Sequence, residues 1–264
     1  EDVRPKAAMS AAVGAGPDLV LGWHDDPHLY PDKLVDVTDV AEYLGAKYGG
    51  WEEACIKYGM KDGRWIAIPM GAPGQQIVYR KSWADEAGYS EFPKTTDEFI
   101  KCCKKLNSMG HPVGFALGHS VGDGNNFAYT WLWSYGASTV DADGKPAIDS
   151  PETRNALDGM KELYSAMIPG CASWQDSHNN KAFLAGQIAA TNNGISIYVA
   201  AKNDPEMKEI AKDTYHAELP VGPVGKPTQL HLFDQAFIFK HTAVPNAAKH
   251  FLMFMLEKEQ AAPW

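Results

Sequence analysis

Cysteine is scarce in this chain: Cys55, Cys102, Cys103 and Cys171 are the only four in 264 residues. That is too few for a disulfide scaffold, and their spacing is not that of a metal site. Cys102 and Cys103 adjoin on a helical pattern, which marks them as small buried side chains, whereas Cys55 and Cys171 could pair and the sequence leaves that open. Long apolar runs are missing as well. Nothing approaches the ~18 residues of a membrane span, and the most apolar long segment, Phe251-Leu252-Met253-Phe254-Met255-Leu256, is ended by Glu257. Positive charge is in deficit, with 24 Lys and Arg against 33 Asp and Glu and a net charge of −9. A balance of that sign argues against the broad basic face that nucleic acid or an anionic membrane needs. The signatures of catalysis are absent too: there is no Gly-x-Ser-x-Gly elbow, no P-loop and no His-Glu-x-x-His. A carboxylate pair for glycoside hydrolysis can be drawn from 33 acids in so many ways that it specifies nothing. The expectation is a protein without catalytic residues, metal or cofactor that handles something small. The chain opens at Glu1 with neither an initiator Met nor a signal sequence, so targeting is not legible in it.

What is present is punctuation. The stretch Gly63 to Trp83, GRWIAIPMGAPGQQIVYRKSW, reads as a strand over Trp65 to Ile68, a Pro/Gly crossing over Pro69 to Gly74, and a second strand over Gln75 to Tyr79. Pro69 and Pro73 fix two φ angles while Gly71 and Gly74 leave freedom between them, which is the chemistry of a hinge and also of an ordinary loop. A second Pro/Gly-rich crossing, Leu219 to Pro227, follows roughly 150 residues later. Between and around them strands alternate with helices. A helix over 4–14 closes at Gly14 or Gly16, and Pro17 to Gly22 is an apolar run suited to a buried parallel strand. Helices follow at 39–47 and 51–59. Thr95 caps a helix through Leu106, Val113 to Leu117 is a candidate strand, and Asn125 to Tyr135 is an aromatic helix. Ser150-Pro151-Glu152 opens a helix to Met167, and Gln187 to Asn192 is a strand before Asn193-Gly194. Asp204 to Asp213 is a charged helix, Asp234 to Phe239 a strand, and Pro245 to Glu257 an amphipathic helix. The alternation indicates an α/β fold, and the paired crossings indicate two lobes joined by more than one strand.

Several marks occur in order over about 230 residues. They are Gly16-Pro17-Asp18-Leu19-Val20; Gly63, Pro69, Tyr79 and Lys81; Phe92-Pro93 with Thr95; Ala182-Phe183, Gly186, Ala189-Ala190 and Asn192-Asn193-Gly194; and Pro245-Asn246 with Ala248 and Phe251. Together they resemble the extracellular solute-binding proteins of ABC importers, in the carbohydrate-binding group that includes maltose-binding protein. The resemblance implies a type II-like periplasmic-binding-protein fold, with residues 1–71 plus 229–264 as an incomplete lobe I and 72–228 as lobe II. It also implies truncation at both ends relative to the family's full chain. In such proteins two lobes close on a small solute and loops at strand ends supply the contacts. Carried over, the loop after Leu21 offers Trp23, His24 and Asp25, with the family's sugar-binding carboxylate at Asp25. Gln75 and the segment His231 to Asp234, with Phe233 and Asp234, match stretches that line the cleft. The family's aromatic after the Asn-Gly turn falls at Ser196, so Tyr198 replaces it only if the turn differs.

Other candidates come from the residues themselves. His24-Asp25-Asp26-Pro27-His28 holds metal-ligand types, but Pro27 forces a turn between the two histidines and no distant partner is identifiable. In the run Phe127, Tyr129, Trp131, Trp133, Tyr135, most rings belong to a core; Tyr129 and Trp131 are the two expected to face a solute, with Asn125 and Asn126 at the helix start as polar partners or simply as caps. Asn193 joins them, although Asn192-Asn193-Gly194 is first of all a turn. The function these readings imply is the substrate-binding component of an ABC importer, periplasmic or lipid-anchored, monomeric, binding a sugar or polyol and passing it to the permease's transmembrane subunits. The alternatives are a binder of a cationic, amine or phosphorylated solute and, from a different class, a carbohydrate-active hydrolase.

Overall fold

The structure is a computed structural model and describes residues 3–262. In chain order the elements begin with α1 (Val3–Val13), β1 (Leu19–Trp23), α2 (Thr38–Tyr48), α3 (Glu53–Gly59), β2 (Met60–Lys61), β3 (Arg64–Trp65), β4 (Ile68–Gly71) and β5 (Gln76–Arg80). They continue with α4 (Lys81–Glu86), α5 (Thr96–Ser108), α6 (Asp123–Ser134), α7 (Pro151–Tyr164), α8 (His178–Leu184), β6 (Ala190–Asn193), α9 (Ser196–Asn203) and α10 (Lys208–Asp213). The last are β7 (Thr214–Ala217), β8 (Asp234–Ile238), α11 (Pro245–Met255) and α12 (Lys258–Ala261). Local signals set many of these bounds. The Thr95 hydroxyl accepts from the Glu98 amide at 3.4 Å and Ser150 from the Thr153 amide at 3.1 Å, each satisfying an orphan donor at a helix start. Gly49, at φ 93°, takes the left-handed position that ends α2.

The chain forms two compact units, Glu1–Pro73 with Leu232–Trp264, and Gly74–His231. In the first, β8 lies between β1 and β4 and runs antiparallel to both. Helices cover both faces of this sheet. Ala236 and Ile238 pack with Val40 and Leu44 of α2 and Leu252 of α11, while Phe237 meets Ala7 and Ala11 of α1 with Val20 and Leu34. In the second unit β5 is central between β6 and β7, again antiparallel to each. One face carries the large core of Ile77, Tyr79, Phe99, Phe115, Phe127 and Leu163; the other packs Val78 against Phe183 and Ile197. Burying each such side chain contributes about 1.5–3 kcal/mol.

Several expectations need correction. Pro17 to Gly22 is not a parallel strand buried on both faces: β1 pairs antiparallel with β8, and Leu21 is 56% exposed. β1 and β4 do run in one direction, but β8 comes back from the far end of the chain and inserts between them. The strand expected over Trp65 to Ile68 is divided, Trp65 closing a hairpin with Met60 and Ile68 opening β4. Pro69 to Gly71 belongs to β4, where the register shifts between Pro69 and Gly71, so the crossing itself is shorter than the Pro/Gly pattern suggested. Val113 to Leu117 is reduced to an isolated parallel bridge of Val113 with Met167 and to links from Gly114 N–H to Ala190 O and Leu117 N–H to Cys171 O, without becoming a strand. The Leu219 to Pro227 stretch is held inside the second unit by Val221 N–H to Lys94 O (2.8 Å) and Val224 N–H to Ser134 O (3.2 Å). The stretch therefore lies within the second unit and is not the passage between units; the chain leaves that unit at His231. All four cysteines are free thiols, with Cys55 and Cys171 in different units.

Gly222 gives a stability test of this packing. A Cβ there would stand inside the contact radius of the Ser134 carbonyl oxygen and 2.7 Å from its hydroxyl. Gly222→Ala is expected to destabilise the protein by about 1–3 kcal/mol, read as a lowered urea midpoint; an unchanged midpoint would show that the stretch moves freely off α6.

Candidate functional site

The residues that the sequence offers as solute contacts fall into two sets, one in each unit. In the first unit, Trp23 and Gly71 both lie opposite Asp234 in the register, so the carboxyl ends of β1 and β4 and the start of β8 share one end of the sheet. His24 follows with φ 29°, an uncommon value for a residue with a side chain. Its backbone is fixed by N–H donation to Phe233 O at 2.9 Å and by the Gln235 amide donating to His24 O. Phe233 N–H points at His24 Nδ1 (3.4 Å), which leaves the hydrogen of a neutral ring on Nε2, a buried atom without a partner among the described residues. Burial holds this imidazole below its ordinary range, against the neighbouring Asp25 charge.

Next along the chain, two carboxylates share one guanidinium. Arg4 of α1 donates from Nη2 to Asp25 Oδ1 at 2.7 Å and sets Nε 2.5 Å from Asp26 Oδ1 as an ion pair without hydrogen-bond alignment, both of these buried atoms lacking a hydrogen-bond partner among the described residues. Asp26 is buried and also accepts the Trp23 amide at 2.7 Å, closing the loop on itself, whereas the Asp25 side chain is 58% exposed. Burial nevertheless raises the Asp26 carboxyl above its ordinary value. Asp234 is also raised by burial, opposed by a hydrogen bond from the Trp23 side chain. The Tyr58 ring lies 5.0 Å from that of Phe233 and 6.2 Å from His24. His28 places Nε2 2.8 Å from Tyr58 O. The structure thus brings together Trp23, His24, Phe233 and Asp234, with Asp25 at the edge, and adds Arg4, Asp26, Tyr58 and Gln235.

In the second unit, Gln76 pairs with Asn193 and Ile77 with Asn192, so Gln75 and Asn193 share an end of that sheet. A polar network surrounds them. Asn179 donates to Asp123 Oδ2 (2.9 Å) and to Asn192 O (3.1 Å), while the Asn192 amide donates to Asn126 Oδ1 at 3.4 Å. Burial, with the Asp176 charge adding to it, pushes Asp123 up to about 6. Gln75 is buried, its backbone oxygen accepting from Gln229 at 2.7 Å while Oε1 has no partner among the described residues. Asn126 is fully buried with its amide donated to Leu230 O, and the Asn193 carbonyl accepts from the Gly194 amide (2.7 Å) and the Ser196 hydroxyl (3.0 Å). These bonds make both asparagines parts of the frame.

Trp131 departs from its expected role. It is 4% exposed, its indole N–H donates to Ala156 O at 2.8 Å, and its ring lies 6.0 Å from Phe127 and 5.5 Å from Tyr135. The helical period puts it on the α7 side of α6, whereas Tyr129, half-buried beside Trp133 at 5.6 Å, lies off that face. Tyr198 sits over His216 at 6.2 Å, beside a shallow hollow it lines with Ile195, Thr214 and Tyr215, and takes no part in the asparagine network. Sequence reasoning passed over Asp123 and Arg4 because their partners are remote in sequence: Arg4 and Asp25 stand 21 positions apart and Asp123 and Asn179 stand 56 apart.

Two α/β units with antiparallel sheets and helices on both faces, the first with polar and aromatic side chains and the second with polar side chains gathered at one sheet end, define a periplasmic-binding-protein fold. Solved structures share it: the maltose-bound MalE3 of T. maritima at TM-score 0.83 (24% identity, 96% of this chain, 66% of that one). A ribitol complex of an ABC transporter solute-binding protein from Agrobacterium radiobacter K84 matches at TM-score 0.84 (22% identity, 99% of this chain, 68% of that one). The family model of bacterial extracellular solute-binding proteins matches residues 1–264, and the chain belongs to that family. An Escherichia coli K12 chain assigned as an ABC transporter periplasmic-binding protein, YcjN, is 26% identical over 98% of this chain and 60% of its own length. A Brucella abortus chain assigned to the binding proteins is 25% identical over 83% of this chain and 54% of its own. The chain therefore spans little more than half the length of these relatives. No helix among the described residues is long and apolar enough to cross a membrane.

Proposed function

We propose that this chain is the substrate-binding part of an ABC importer, taking up a small carbohydrate or polyol outside the cytoplasm and delivering it to a permease without altering it. The observation that carries the reading is the family match along residues 1–264. The carbohydrate class is supported by the maltose and ribitol held by the similar structures and by the chemistry of the first unit. There Trp23, Tyr58 and Phe233 offer apolar rings for a sugar's C–H face, while Asp25 and Asp234 offer strong hydroxyl acceptors. The second unit adds Gln75 Oε1 and the Tyr129 ring. In this reading the protein is a monomer, periplasmic or lipid-anchored, with no catalytic residue, cofactor or nucleic-acid partner.

A thermal-shift screen over mono- and oligosaccharides, polyols, polyamines and sugar phosphates tests it. A sugar or polyol is expected to raise Tm, since a ligand at a thousand times its Kd stabilises by about 4 kcal/mol. Asp25→Ala is expected to weaken that ligand about tenfold or more. Responses to polyamines or sugar phosphates alone would overturn the solute class; a sugar bound equally by wild type and Asp25→Ala would remove the loop from the site.

A further inference from the structure

We infer that Arg4 sets the charge preference of the binding loop, making it read neutral hydroxylated solutes and reject their amine counterparts. This rests on the proposed contact between Asp25 and a solute. Asp25 and Asp234 alone would make the first unit's set of contacts a good receiver for an ammonium group. The structure shows otherwise for Asp25: the Arg4 guanidinium lies 2.7 Å from its Oδ1. Arg4 is not a wandering surface cation: its Nε is a buried atom that makes no hydrogen bond, and the guanidinium is placed by charge, 2.5 Å from the Asp26 carboxylate, whose side chain is 7% exposed. The planar fork lets one nitrogen anchor inward while another reaches the exposed carboxylate. Asp25 keeps an oxygen with which to accept a hydroxyl, but an arriving ammonium meets a carboxylate already compensated and a cation beside it. A fixed ion pair at this place discriminates by repulsion as well as by attraction. Arg4 thus acts through Asp25 and is a specificity-determining residue remote in sequence from the loop it tunes.

The test is calorimetric titration of the folded protein with matched pairs: D-glucose and D-glucosamine, D-galactose and D-galactosamine, sorbitol and glucamine. Wild type is expected to favour the neutral member. In Arg4→Gln the ratio of amine to neutral affinity should rise at least tenfold, about 1.4 kcal/mol, and the gain should shrink as salt screens the freed carboxylate. Arg4→Lys, which keeps the charge, should retain the wild-type ratio; a purely structural role for Arg4 would weaken both members alike in either variant. Should Arg4→Gln not fold, Asp25→Asn decides, because it leaves the Arg4–Asp26 pair in place: amine rejection should persist or deepen. An unchanged ratio in Arg4→Gln, or an amine preference in Asp25→Asn, overturns the inference while leaving the sugar-binding reading intact. Failure of wild type to bind any neutral member would count against that reading, and this one would fall with it.

Discussion

Trp131→Ala is expected to lower the unfolding free energy by about 3–5 kcal/mol, the range for deleting a large aromatic from a packed core, while affinity for the sugar or polyol proposed above changes less than twofold. The ring is 4% exposed and packs within the core shared by α5, α6 and α7, with Phe127 and Tyr135 as ring neighbours. Alanine removes those contacts and also leaves the Ala156 carbonyl without its indole donor in a site closed to water. Urea denaturation followed by circular dichroism reads the loss, and a change below 1 kcal/mol would show the ring is not part of the core. Tyr129→Ala supplies the contrast. The same helix presents this half-buried ring off the core face, so stability should fall by no more than about 1 kcal/mol, in the range of ordinary substitutions.

The second large effect concerns pH. Asp123 ionises with a folded value of about 6 against an ordinary 3.8, so between those two pH values the folded protein holds a proton that the unfolded chain has released. Stability therefore falls as pH rises from about 4 to about 6, and the full cost of burying the carboxylate is present above the folded value. A displacement of about two units corresponds to roughly 3 kcal/mol. Asp123→Asn should abolish this component, making the variant more stable than wild type by about 2–3 kcal/mol at pH 7 and nearly equal at pH 4. His24 and His216 contribute with the opposite sign. Burial lowers both, so each adds stability as pH rises toward 6.5. Subtracting the variant's profile from that of wild type removes them. A difference independent of pH would mean that Asp123 is ionised across the whole range and that solvent reaches it.

The outcome for α6 illustrates what a sequence can and cannot say. The aromatic segment from Phe127 to Tyr135 pointed to a helix with most of its rings in a core, and the helix is there, although ring spacing by two is not a helical period. Which rings face inward depends on where α7 lies, and that placement brings Trp131 to Ala156 while leaving Tyr129 beside Trp133. The loop after β1 behaves likewise. Its polar and aromatic content was plain in Trp23-His24-Asp25, but Arg4, which pairs with Asp25 at 2.7 Å, sits on a helix that local pattern alone gives no reason to connect with it. Leu219 to Pro227 resembled a crossing because proline and glycine punctuate any turn. Its hydrogen bonds to Lys94 and Ser134 tie it inside one unit.

By itself the sequence indicated the alternation of helices and strands and the capped starts of α5 and α7, because each of these is written in neighbouring residues, and the family, through short motifs in order along about 230 residues. Tertiary structure alone decided that β8 runs against β1 and β4, that Trp131, Asn126 and Asn193 serve the frame, and that Asp25 shares a guanidinium with Asp26. These follow from pairings between residues tens to hundreds of positions apart, where strand direction and the satisfaction of buried polar groups are settled only when the distant partners meet.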